Sequence, residues 1–182
     1  MPVETEIKLR LTDAASARAM LDQHGYRQSD PRTLEIDQVY DRPDGELKRS
    51  GQLLRVRCAA GRWTLTYKGP CQPDRYKSRE EIESDLSDGA AFVQILSALG
   101  YSPAFRYEKF RTKFTAGDQP GLVTLDETPI GSFLELEGAG DWIDRTAAAL
   151  GFSPAEYITA SYAALYQQYR KEHAGVPEDM RF

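Results

Sequence analysis

Glu4, Glu6, Lys8 and Arg10 recur at every second residue, so in an extended chain all four share one face. The opposite face carries Val3, Ile7, Leu9 and Leu11, with a shift of phase near Thr5. The same alternation returns downstream. Arg55 and Arg57 stand against Leu54 and Val56, Lys68 ends its run, and Lys77, Arg79, Glu81 and Glu83 follow on one phase. Lys109, Arg111 and Lys113 flank Phe110 and its neighbours, Asp126 closes a further run, and Glu135 and Glu137 sit between Leu134 and Leu136. Paired carboxylates offer oxygen ligands to hard cations such as Mg2+ or Mn2+. Arginine offers phosphate a planar pair of donors, and lysine a point charge. Taken singly, each ladder reads as a solvated strand face whose cross-strand pairs contribute under about 1 kcal/mol.

The elements that carry these ladders decide between the two readings. Alternation and turn signals predict strands over about 2–11, 34–41, 53–59, 62–68, 77–86, 105–116, 121–127 and 132–138. The separating turns are Pro43-Asp44-Gly45, Ala60-Gly61, Gly69-Pro70, Gly117-Asp118-Gln119-Pro120 and Pro129-Ile130-Gly131. Asp13 caps a predicted helix over 14–24, a second runs from Ser87 and Asp88 to Gly100, and Asp141 opens a third. Ser153-Pro154-Ala155-Glu156 combines a capping box with proline at the first helical position, predicting a helix reaching about Glu172. Residues 174–182 have little to hold them and read as a loose tail after a single domain over 1–173. Many hairpin-linked strands with few helices imply an α+β chain, mainly β: an antiparallel sheet, curved or closed, with helices packed outside. The helices need apolar surface to cover, so the apolar strand faces turn outward and the charged faces converge inside. Buried charge is expensive unless compensated, and the ligand that compensates both signs is a metal–polyphosphate complex.

Composition excludes several classes. A net charge of −5 and a pI of about 5.2 argue against a nucleic-acid binder. No apolar run is long enough for a membrane span, and the first residues lack the pattern of a signal peptide. Cys58 and Cys71 fit no metal or disulfide spacing, so the expectation is a disulfide-free cytoplasmic protein. His24 and His173 fall on predicted helices, where solvated or packing roles suffice.

Glu4-x-Glu6-x-Lys8 resembles the ExExK signature of the CYTH superfamily, the triphosphate tunnel metalloenzymes. The resemblance extends through Leu54-Arg55-Val56-Arg57, Lys68-Gly69-Pro70, Arg79-x-Glu81-x-Glu83, Glu108-Lys109-x-Arg111, Asp126, Gly131-x-Phe133-x-Glu135-x-Glu137 and Ser161-Tyr162. It implies an eight-stranded antiparallel β-tunnel, a closed barrel, with helices outside. It also implies a metal-dependent enzyme that uses Mg2+ or Mn2+ on a small-molecule triphosphate, namely ATP, tripolyphosphate or thiamine triphosphate. Carried over by motif position, Glu4, Glu6, Asp126, Glu135 and Glu137 are the implied metal carboxylates. Lys8, Arg55, Arg57, Lys68, Lys109 and Arg111 are the implied triphosphate cations. Arg79 joins the cations, and Glu81 and Glu83 the carboxylates, as matched tunnel-lining positions. The Gly100–Phe105 region before Glu108 and the Lys68-Gly69-Pro70 turn resemble the class IV adenylate cyclase branch, whose reaction is ATP to cyclic AMP and pyrophosphate. Inorganic or thiamine triphosphatase is the alternative, and a non-catalytic polyphosphate- or nucleotide-binding module the second. Some inorganic triphosphatases orient water with a lysine–tyrosine pair, for which Lys109 and Tyr40 are the expected residues. The segment Asp37-Gln38-Val39-Tyr40-Asp41 departs from the family's paired aromatics, and the C-terminal substrate lysine of some thiamine triphosphatases has no counterpart beside Arg170 and Lys171. A homodimer is expected at family level only.

Overall fold

The computed structural model describes residues 3–72, 75–117 and 119–182; Pro2 of the first predicted strand and Asp118 of one predicted turn lie outside them. Eight strands form: β1 (Val3–Leu11), β2 (Arg27–Asp41), β3 (Leu53–Ala59), β4 (Arg62–Lys68), β5 (Lys77–Leu86), β6 (Ser102–Thr115), β7 (Leu122–Thr128) and β8 (Gly131–Glu137). They close into one antiparallel barrel in the order β1-β5-β4-β3-β2-β6-β7-β8. Closure comes from β1, which pairs with β5 along one edge and β8 along the other. Five α-helices lie around it: α1 (Ala14–Gln23), α2 (Glu46–Arg49), α3 (Gly89–Ala98), α4 (Gly140–Ala149) and α5 (Tyr162–Glu172). Among the described residues, no helix is long and apolar enough to cross a membrane.

The apolar faces point outward, as the helices require. Ile7, Leu9, Val123, Leu125, Leu134 and Leu136 pack against Leu21 of α1 and against Trp142 and Ile143 of α4, all essentially buried. Each such side chain contributes about 1.5–3 kcal/mol on burial. The close approach of Trp142 depends on glycine: a Cβ at Gly121 would fall 2.4 Å from the indole ring. On the other flank, α3 sets Leu96 over Tyr40 and Val56. Asp13 caps α1 by accepting from Ser16 N at 2.8 Å, and Asp88 caps α3 by accepting from Ala91 N at 2.9 Å.

Three expectations need correction. First, β2 starts at Arg27 rather than 34, because it follows the extended β6 through register shifts between Gln28 and Thr33. Second, the capping box at Ser153 forms, with Ser153 N donating to Glu156 Oε2 at 2.9 Å, but it starts only a 3-10 turn over Pro154–Glu156. Reciprocal 2.9 Å backbone bonds tie Ile158 to Lys8, and the chain re-enters a helix only after Ser161, which caps α5. Third, the segment after α5 is not loose. Met180 is fully buried, its N–H donates to Arg106 O at 3.0 Å, and its carbonyl accepts from Glu108 N at 2.8 Å. Tyr166 OH also donates to the carbonyls of Pro177 and Asp179, at 3.0 and 2.9 Å. Apart from these, α2 forms without an apolar stripe because Asp41 collects its first backbone donors, Leu47 N at 2.9 Å and Lys48 N at 3.0 Å.

Candidate functional site

The inward phases of the eight strands meet around a cavity of about 490 Å³. Its walls carry nine lysine and arginine side chains and seven glutamates. Glu4, Glu6 and Lys8 come from β1; Lys77, Arg79, Glu81 and Glu83 from β5; Lys109, Arg111 and Lys113 from β6. Arg55, Arg57, Lys68, Glu135 and Glu137 complete the set expected from the ladders, and Glu35 of β2 adds a carboxylate. Ser161, Tyr162 and Ala163, where α5 begins, join the lining, as do Val39, Leu53 and Tyr107.

Two of the wall clusters are internally neutralised. Asp126 is wholly buried behind the wall and receives Arg111 through Nε at 2.7 Å and Nη2 at 2.6 Å, Lys109 Nζ at 2.8 Å and Tyr162 OH at 2.7 Å. Arg111 also pairs closely with Glu135. Lys8 Nζ and Lys109 Nζ stand 5.1 and 5.0 Å from the centroid of the Tyr162 ring, so one aromatic face seats both ammonium groups. On the β2–β3 side, Asp37 Oδ1 accepts from Arg57 Nε at 2.8 Å and lies 3.4 Å from Arg55 Nε. Arg55 further donates to Thr66 Oγ1 at 2.9 Å and to Glu83, which is half-exposed on the rim.

The β1–β5–β8 side differs. Glu6 is paired with Lys77 and, at 3.2 Å, with Lys8; burial alone would push its carboxyl up, but the two ammonium charges hold it well below the ordinary range. Lys68 Nζ bridges Glu4 at 2.5 Å and Glu81 at 2.8 Å. The Glu81 carboxyl is nonetheless pushed up to about 8, by burial and then by a hydrogen bond with Glu4. Glu4 is lowered against the effect of burial, by its hydrogen bond with Glu81 and by the Lys68 charge. Glu137 makes no ion pair among the described residues, and its carboxyl is pushed up to about 7 by desolvation and then by Glu4, Glu6 and Glu135. Lys77 is pushed down to about 8 by burial and by the neighbouring Lys8. Arg79 is 7% exposed, opposite Glu4 in the β1–β5 register, and makes no hydrogen bond or ion pair among the described residues.

The carboxylates suit a divalent cation in chemistry. Protons retained on Glu81 and Glu137 are the response of crowded acids with too little positive charge nearby, and hard oxygen donors are what Mg2+ and Mn2+ take. Among the described residues, no three acidic, histidine or cysteine side chains converge as a ready-made ion site; Lys68, Lys8 and Lys77 hold the carboxylates instead.

The structure thus gathers Glu4, Glu6, Glu81, Glu83, Glu135 and Glu137 with all the expected cations on one wall system, and sets Asp126 just behind it. It does not bring Tyr40 there. Tyr40 occupies the outward phase of β2, buried with Val56 and Leu96, and the tyrosine beside Lys109 is Tyr162. Sequence reasoning passed over Glu35 and Asp37, although they sit at the i, i+2 spacing used to find the other ladders. Lys77 stood in a recognised ladder, and Tyr162 in a recognised motif, but neither was singled out.

A closed antiparallel barrel with helices outside and an interior of interleaved carboxylates, lysines and arginines is a charged β-tunnel. Comparison with family models matches residues 2–151 to the CYTH domain, and the chain belongs to that family, with its triphosphate tunnel fold. A Methanocaldococcus jannaschii protein named as a candidate adenylate cyclase is 30% identical over 135 residues, 74% of this chain and 76% of that protein. Solved structures agree in fold. A candidate adenylate cyclase from Vibrio parahaemolyticus superposes with a TM-score of 0.78 at 21% identity, covering 90% of this chain and 97% of its own. A Pyrococcus horikoshii protein gives 0.77 at 23% identity, covering 92% and 99%. A Hippeastrum protein, described as a candidate adenylyl cyclase with a dominant triphosphatase activity, gives 0.62 at 15% identity, covering 93% and 96%.

Proposed function

We propose that this chain is a metal-dependent enzyme acting on small-molecule triphosphates inside the tunnel, and that it is an adenylate cyclase of the class IV kind, converting ATP to cyclic AMP and pyrophosphate. The observation that carries the triphosphate reading is Arg79. A guanidinium desolvated in a cavity wall, with no side-chain partner among the described residues, is a standing vacancy for an anion. The named relative from Methanocaldococcus jannaschii supports the cyclase branch. The triphosphatase described for the Hippeastrum neighbour supports a second reading, release of orthophosphate from the terminal position.

In this mechanism the protein positions and neutralises rather than attacks. Arg79, Lys77 and Lys8 take phosphate oxygens from the β1–β5 side. Lys109 and Arg111, fixed by Asp126 and by Tyr162, face them from β6, and Arg55 and Arg57 complete the ring. Glu4, Glu6, Glu81, Glu135 and Glu137 are the residues that would hold Mg2+ or Mn2+, with Glu83 on the rim beside them. The ion, when bound, supplies charge neutralisation and orients the attacking oxygen. The outward apolar faces and the helices keep bulk water from the walls, which strengthens each charge-assisted contact. Incubation with ATP, tripolyphosphate and thiamine triphosphate under Mg2+ and under Mn2+ tests the proposal. Cyclic AMP with pyrophosphate is the expected product; orthophosphate alone selects the second reading. Tight binding without turnover leaves a binding module, and neither binding nor turnover refutes the triphosphate assignment.

A further inference from the structure

Glu35 has no part in the scheme above, and its surroundings set it apart from the other tunnel carboxylates. Its Oε2 lies 3.1 Å from Arg57 Nη1, 3.6 Å from Lys109 Nζ and 3.9 Å from Arg111 Nε. That oxygen is buried and accepts no hydrogen bond among the described residues, so charge alone holds it among three cations assigned to phosphate. Burial pushes the carboxyl up, but Arg111, Lys109 and Arg57 together hold it below the ordinary range, so it stands there as an anion.

The tunnel as a whole has little surplus to offer a polyanion, even counting Glu81 and Glu137 as protonated. Nine cations line the cavity with seven glutamates, and the buried Asp37 and Asp126 raise the carboxylates to nine as well. A triphosphate brings more negative charge than that small surplus can balance into a partly desolvated space, where uncompensated charge is costly. We propose that Glu35 is a built-in counter-anion that makes triphosphate binding conditional on a divalent cation. It cancels the pull of Arg57, Lys109 and Arg111 on a bare polyphosphate, and the positive charge that restores the balance enters at the Glu4, Glu81 and Glu137 carboxylates. The inference rests on the triphosphate reading and names the gate on that same site. By linkage, the cation and the triphosphate raise each other's affinity by the same factor.

Calorimetric titration of inorganic tripolyphosphate, once in EDTA and once in Mg2+, tests this without any turnover. Wild type is expected to bind in Mg2+ and much more weakly in EDTA. Glu35→Gln keeps the shape and removes the charge, so its affinity in EDTA is expected to rise by on the order of tenfold. Its affinity in Mg2+ changes less, so the Mg2+/EDTA ratio collapses. Metal binding by free tripolyphosphate is common to all variants and cancels in that comparison. An unchanged ratio in Glu35→Gln overturns the proposal, as does loss of binding in both media with the circular dichroism spectrum intact. Glu127→Gln makes the same charge change on the outer face, where Glu127 pairs with Arg18 and Arg32, and is expected to leave the ratio alone. An equal collapse there also overturns the proposal. Should Glu35→Gln fail to fold, Glu35→Ser replaces it, and a wild-type affinity indifferent to Mg2+ is by itself fatal. A wild type that binds no tripolyphosphate in either medium sinks the triphosphate reading instead.

Discussion

Arg79→Met separates a group kept for a ligand from a group kept for the fold. Arg79 is 7% exposed, and the opposed Glu4 gives its ion pair to Lys68 rather than to Arg79. An apolar side chain of similar reach removes that desolvation penalty, and replacing buried charge with apolar groups stabilises by about 1–4 kcal/mol. Residual attraction to the nearby carboxylates places the expectation in the lower half of that range. For a chain of this size each kcal/mol raises Tm by about 2–4 °C, so a rise of roughly 2–10 °C is expected in a thermal melt. The same substitution deletes charge-assisted hydrogen bonds to phosphate, worth about 1.5–3 kcal/mol. Tripolyphosphate affinity, or the apparent KM for any accepted triphosphate, should therefore worsen roughly 10- to 150-fold. Stability up and affinity down is the expected pair. A melt that falls with affinity unchanged refutes the reasoning, because it makes Arg79 an unseen prop of the barrel rather than a receptor for an anion.

Glu4→Gln with Glu6→Gln should abolish Mg2+- or Mn2+-dependent turnover in a variant with a wild-type circular dichroism spectrum, and undiminished turnover removes both residues from the metal set. Met180→Ala empties a fully buried position in the docked C-terminal segment and should lower unfolding free energy by about 2–5 kcal/mol in urea melts; a loss under 0.5 kcal/mol would mean that the segment adds nothing. Asp37 is buried, and Arg57 and Arg55 hold its carboxyl below the usual range against the opposing effect of burial. Its stabilising contribution is therefore complete above the unfolded value of about 3.9 and is lost as pH falls through the lower folded value. The stability gap between wild type and Asp37→Asn should accordingly narrow below about pH 4, and curves that stay parallel to lower pH contradict the assignment.

Strand alternation made most of this fold legible. Seven of the eight strands lie within three residues of their expected bounds because each has one face packed and one face charged, the condition that writes period two into a sequence. The N-terminal half of β2 escaped because Arg27–Thr33 has no apolar phase; its extension is imposed by β6 across register shifts. Glu35 and Asp37 alternate with Leu34 and Ile36, but Gln38 and Val39 reverse the phase immediately after, so the ladder is only two residues long and did not stand out. Tyr40 could have been placed by parity alone, since it is out of phase with Asp37 and Val39, and the family analogy outweighed that simple count. The helix predicted from Ser153 had correct local chemistry, but a capping box starts a helix without fixing its length, and the long-range bridge between Ile158 and Lys8 ended it. For the same reason the C-terminal segment looked idle: its anchors are Tyr166 and the backbone of β6, both remote from it in sequence terms that periodicity reads.

The position of β1 between β5 and β8 also bears on how the chain reaches its native state. Val3–Leu11 leaves the ribosome before the other strands of the barrel, yet its β8 partner, Gly131–Glu137, follows more than a hundred residues later. During synthesis β1 can dock only on β5, with its other hydrogen-bonding edge bare, and the ladder stays open until β8 arrives. Closing it is a long-range step of the kind that slows β-rich folding. It is also the step that withdraws the charged lining from water, so the slowest contact and the least favourable desolvation coincide. On the proposed function, a polyphosphate and its cation present at that moment would act as a template for the seam and speed ring closure.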